Sequence, residues 1–366
     1  MRRQFSVVQA IIDKMRTMRK LMMIVLAGPF VFGAVVEAQG WTVQTSGIQT
    51  NLRGLSVVRG SNPEKGPVVW ASGSNGVILQ SADGGKNWKR LYVEGGDALD
   101  FRGIRAFDEK IAYVMSSGDR DKSRIYKTND GGDVWELQYT DEQSGFFLDD
   151  IACFDEKHCF ALGDPIGGKF LILSTEDGRH WGEMPRGNMP AIIQGEGAFA
   201  ASGTSLAIYG KTEIYFGTGG GAIARVFHSA DLGRTWTVAD TPLAAGNASS
   251  GVFSVIRVGD TVIAVGGDYK VANGNAGNAV HSTDGGVTWM MSSQFPGGFR
   301  SAVASRSDST LIAVGPSGED ISRDGGTSWS HCGSLNLNAV AAIDAANVWA
   351  AGAHGTVARF SEGQSN

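Results

Sequence analysis

The sequence predicts an all-β, seven-bladed propeller of four-stranded antiparallel blades, its ring closed by a strand from the N-terminal region. Three observations predict it. An eight-residue string recurs six times, with its tryptophans 40 to 55 residues apart. Each interval carries four short β-rich segments in one order. Glycine supplies 52 of 366 residues, about twice the usual share.

The recurring string follows the pattern Ser/Thr-x-Asp/Glu-x-Gly-x-x-Trp. It reads SADGGKNW from Ser81, TNDGGDVW from Thr128, STEDGRHW from Ser174, SADLGRTW from Ser229, STDGGVTW from Ser282 and SRDGGTSW from Ser322. Its acidic positions are Asp83, Asp130, Glu176, Asp231, Asp284 and Asp324; its aromatic positions are Trp88, Trp135, Trp181, Trp236, Trp289 and Trp329. A serine beside an aspartate on a glycine-rich loop looks like a reactive site, but six copies point to a structural turn. An aspartate accepts N–H groups from the residues just after it. Glycine supplies the positive φ of a tight hairpin. Tryptophan opens the next strand and packs between units.

The tryptophan spacings are 47, 46, 55, 53 and 40, and Trp41 stands another 47 before Trp88. In the second interval the order is FRGIRAF, IAYVMSSG, RIYKT, the turn string, then WELQYT. These are four alternating strands. After the sixth string, LNAVAAID, VWAAGA and TVARF supply only three. The missing outer strand is WTVQ at Trp41, which closes the ring and removes the open edge of a linear array.

Residues 18–39 carry basic residues, an apolar stretch from Leu21 to Val36, and VEA. Residues 1–38 therefore read as a signal peptide cleaved after Ala38, with Met15 or Met18 as alternative starts. The propeller occupies 39–366. The apolar stretch is short for a membrane span, so the mature chain is expected to be exported, periplasmic or secreted, without a membrane span, and monomeric. Net charge is −5 with both signs dispersed, which argues against nucleic acid. Export permits disulfides; Cys153 and Cys159 flank a hairpin turn, FDEKH, and are expected to be bonded. Cys332 has no local partner. No zinc spacing occurs, no metal is expected, and GTGGG at 217–221 precedes a strand and so lacks the phosphate-binding context. No cofactor is expected.

The strings GDPIGGKF at 163–170, GEGAFAASGT at 195–204, GGDY at 266–269 and GFRSAV at 298–303 resemble the photosystem II stability/assembly-factor-like propellers of bacteria. The turn strings resemble the Asp-box, or bacterial neuraminidase repeat. The first resemblance implies a binding or assembly propeller with an arginine patch that engages a membrane-protein partner. The second leaves glycoside hydrolase as the alternative, and no motif supports an oxidoreductase.

Aligning the starts of the inner strands gives Arg53, Arg102, Asp149, Glu196, Phe253, Arg300 and Asn338. The ends of the second strands add Asp164, Asp268 and Lys270. These residues are expected around one mouth of the central channel, opposite the turn strings, as a binding site for a protein or an anionic or glycan ligand. Sialidases use an arginine triad, a tyrosine–glutamate nucleophile and an acidic acid/base. Arg53, Arg102, Arg300, Asp149, Asp164 and Glu196 invite the comparison. However, sialidases have six blades, their F/Y-R-I-P motif is here FRGI at 101–104, and no tyrosine falls at an inner-strand start.

Overall fold

A computed structural model describes residues 40–44 and 46–361; residues 1–38, read above as a signal peptide, lie outside them. Seven four-stranded antiparallel sheets follow one another around a ring. Six consist of consecutive strands, with inner strands Leu52–Val58, Phe101–Ala106, Leu148–Cys153, Leu206–Tyr209, Ser250–Val258 and Ala302–Ser305. The seventh takes Leu337–Asp344, Asn347–Gly352 and Val357–Ser361 from late in the chain and Gly40–Gln44 from early in it. Trp41 pairs with Phe360 across that junction, and their rings meet edge to face at 5.1 Å.

Alternating residues on each strand point to opposite faces of its sheet. Both faces of a blade are covered by neighbours, so both must be apolar. The core accordingly divides into seven clusters, each shared by two adjacent blades. Trp70 and Trp349, on second strands, are fully buried in two of them. Among the described residues no helix is long and apolar enough to cross a membrane.

The recurring strings form the turns between third and outer strands. Ser282 Oγ donates to Asp284 Oδ1 at 2.7 Å and accepts from Gly286 N at 2.8 Å; Asp284 Oδ1 accepts from Thr288 N at 2.9 Å. The same bonds recur at Ser81, Thr128, Ser229 and Ser322. The string at 174–181 is a correction. The hydroxyl there belongs to Thr175 and the carboxylate to Asp177, which accepts from Arg179 N and His180 N, while Glu176 is exposed. This turn is one residue shorter. Aromatic burial also varies: Trp236 and Trp329 are buried, while Trp88, Trp135, Trp181 and Trp289 are only half-buried.

The glycine in these turns is required by the neighbouring blade. A Cβ on Gly85 would lie 2.5 Å from the Trp349 ring, and Gly85 has φ +86°. Cys153 and Cys159 face each other on paired strands and are joined by a disulfide. Cys332 is a free thiol, pushed up to about 12 by burial.

Candidate functional site

Backbone contacts at the strand starts fix which residues are equivalent. Gly73, Gly163, Gly266, Gly315 and Gly352 each lie against the carbonyl of Asn51, Phe147, Gly251, Phe299 and Asn336 respectively. The residue two positions after each of those carbonyls points into the channel. These are Arg53, Asp149, Phe253, Ser301 and Asn338, and Arg102 joins them because Ser117 N bonds Asp100 O in the same way. All six line one cavity of about 540 Å³ on the face opposite the repeated turns.

Arg300 is therefore one residue out of register. It occupies the position of Leu52 and Val252, between blades, with 0 % exposure. Its Nε donates to Asp320 Oδ2 at 2.6 Å, and its Nη1 to Ser317 Oγ at 3.1 Å. A slip of one residue in a strand turns a side chain to the opposite face. Glu196 departs further. The inner strand of blade 4 begins ten residues later, at Leu206. The Glu196 carboxylate is buried, accepting from Arg225 Nε at 2.9 Å, Thr218 Oγ1 at 2.6 Å and Ile193 N at 3.0 Å. Asp268 and Lys270 lie beyond the cavity wall, where Asp268 accepts from Lys270 N and Asn247 Nδ2. Asp164 does line the cavity.

What precedes Leu206 was not legible as a functional element. Residues 198–204 leave blade 4 and cross the channel. Arg102 Nη1 donates to Ala200 O at 2.9 Å and Arg53 Nη1 to Ala201 O at 3.5 Å. Ser202 Oγ donates to Ser301 O at 2.8 Å, and Val255 N to Thr204 O at 3.1 Å. Arg105 Nη2 donates to Gly203 O. One segment thus touches inner strands of blades 1, 2, 5 and 6. Small side chains permit this passage: a Cβ on Gly203 would stand 3.2 Å from Arg102 O, and Gly203 has φ +65°. The plug divides the channel into two cups, the second being lined by the far ends of the inner strands.

The first cup has two unlike walls. Phe253 stacks on Phe199 of the plug at 3.8 Å and meets Phe299 and Tyr269 edge on. Across from them stand Arg53, Arg102, Asp149 and Asp164. Arg102 Nε is paired with Asp100 Oδ2 at 2.7 Å. Burial, then the neighbouring Arg102 charge, lowers Arg53 from its ordinary value. Burial, then the charges of Asp164 and Asp150, holds Asp149 well above the carboxylate range. Burial likewise raises Asp164, against one bond from Ala198 N at 3.3 Å.

A cavity of about 620 Å³ opens on the turn face between blades 3 and 4, lined by Phe154, Phe160, Met184 and Leu232. Two of its polar groups, Asp155 and His158, satisfy each other at 2.8 Å, and no repeated channel position reaches it. The axial cup is therefore the candidate site. Among the described residues no group of three or more His, Cys, Asp and Glu is placed to hold a metal.

Fold and cup together define a seven-bladed propeller with a plugged axial channel and a polar–aromatic cup. Solved structures share this fold. YCF48 bound to D1 peptide matches with a TM-score of 0.61 at 15 % identity, covering 87 % of this chain and 96 % of the other. YCF48 from Cyanidioschyzon merolae matches with a TM-score of 0.63 at 16 % identity, covering 87 % and 98 %. The extracellular domain of BT4673 from B. thetaiotaomicron matches with a TM-score of 0.58 at 12 % identity, covering 87 % of this chain and 40 % of that one. At these identities the likeness shows the fold. No protein-family model and no curated protein matches the sequence.

Proposed function

We propose that this chain is a non-catalytic binding propeller that receives a segment of a partner protein in the axial cup. The construction of the cup is the observation that carries this reading. Six equivalent positions of a closed, rigid ring converge on a cavity with one aromatic and one charged wall. Loops and cavities on rigid scaffolds are where binding residues collect. The YCF48 structure solved with a D1 peptide supports a peptide as the kind of ligand such a fold can take. The hydrogen-bond pattern of the turns supports the Asp-box resemblance. The disulfide supports an exported chain, as does the leader-like composition of residues 1–38.

The hydrolase alternative is weakened by Glu196, whose carboxylate is already occupied inside blade 4. A general acid must reach the proton it transfers, and Glu196 does not face the cup.

Arrays of random heptapeptides and of glycans, probed with the purified chain and its Tyr269→Ala variant, test the reading. Tyr269 lines the cup and is 48 % exposed, so the variant marks the site without disturbing the core. Peptide binding lost in Tyr269→Ala is the expected result. Peptide binding indifferent to Tyr269, or glycan cleavage, would sink it.

A further inference from the structure

Asp149 and Asp164 come from paired strands of blade 3 and meet at one end of the cup. Their neighbours Leu148 and Gly163 are cross-strand partners. Asp149 is 1 % exposed, and its Oδ2 is buried without a hydrogen-bond partner. Among the described residues neither acid has a cation within ion-pairing distance. Native structures seldom leave a buried carboxyl in that condition, because an unmade bond costs its full desolvation. The arginines of the cup do not answer it: Arg102 is engaged with Asp100 and the plug, and Arg53 reaches toward Ala201 O.

Resting on the reading of the cup as a peptide site, we infer that it takes a basic side chain, lysine or arginine, flanked by a bulky apolar residue. The cation seats against Asp149 and Asp164. The flanking residue lies on Phe253 and Tyr269. Each wall of the cup thereby meets its complement. A carboxylate pair with little solvent around it favours a cation strongly. The exposed edge of Tyr269 and the stacked Phe253 offer apolar area and a π face. An acidic segment fails on the same ground, since it would bring a negative charge against two acids that have no cation within ion-pairing distance.

The heptapeptide array supplies the test, read with wild type, Tyr269→Ala, and Asp149→Asn combined with Asp164→Asn. Peptides whose binding needs Tyr269 should be enriched in Lys or Arg next to an aromatic or aliphatic residue. Anisotropy titration of such a peptide should weaken by about tenfold or more in the double Asn variant, and similarly when its basic residue is replaced by norleucine. Thermal melting of the double variant should not fall, because Asn removes two acids whose ionisation burial opposes; this separates lost recognition from lost fold. Peptides that need Tyr269 but show no basic preference, or bind the double variant unchanged, overturn this inference and leave the cup as a peptide site. If no peptide depends on Tyr269, the peptide-site reading and this inference fall together.

Discussion

Glu196 and Arg225 are locked to each other inside blade 4, with Arg225 at 8 % and Glu196 at 0 % side-chain exposure. Breaking a buried pair from one side strands the other charge. Glu196→Gln is therefore expected to lower stability by about 3–5 kcal/mol, read by denaturant unfolding. A fully stable variant that has lost a function would reverse the assignment.

Within the repeated turns the hydroxyl matters as much as the carboxylate. Ser282→Ala removes the acceptor of the buried Gly286 N–H and should cost about 1–3 kcal/mol. Trp329→Ala, which empties a buried ring site between blades 5 and 6, should cost about 3–5 kcal/mol. Peptide binding at the cup should survive the first change. Equal melting of Ser282→Ala and wild type would show that the turn does not need its hydroxyl.

Stability should depend on pH in two opposed ways. Asp149, Asp150 and Asp164 are raised above 3.8, chiefly by burial. The folded state then holds protons that the unfolded state releases, so stability falls as pH rises from about 4 through their raised range. Asp284 is depressed to about 2 by bonds from Thr288 and Ser282, and its contribution is lost as pH falls from about 4 toward that value. Urea titrations at stepped pH should show the decline on the neutral side flatten when Asp149 and Asp164 are both Asn. An unchanged slope would mean these carboxyls are not the source.

The disulfide closes a short loop, with a sequence separation of 6. Cys153→Ser combined with Cys159→Ser should therefore cost about 2 kcal/mol by loop-closure entropy. Peptide mapping without reductant should find the two linked in the parent protein, and two free thiols would contradict the pairing.

Blade number, strand order and ring closure were legible because a turn is local chemistry: Ser282, Asp284 and Trp289 announce it within eight residues. Register was less legible. Arg300 and Ser301 are both plausible strand starts by composition, and only the close approach of Gly315 to Phe299 O decides between them. Ser174 and Thr175 offered the same choice of hydroxyl, and the shorter turn at Asp177 resolved it. The plug was hidden for a different reason. AFAASG at 198–203 has the small, apolar composition of a strand, but it makes its bonds with arginines about 98 residues upstream and a serine 99 downstream. No sequence window contains those partners. Tyr269 and Phe253 became one wall of a site only once Phe199 was placed between the blades.

The seventh blade has a temporal consequence. Ser361 bonds Gly40 across 321 positions of sequence, so its outer strand, made first, must wait for three that leave the ribosome long after it. Blades 1 to 6 are each local and can assemble as they emerge, but a chain still growing holds them as an open arc whose two end blades expose apolar faces. Long-range contacts of this separation form slowly. The interval before closure is when the arc, its end blades unpartnered, is most open to pairing with another chain.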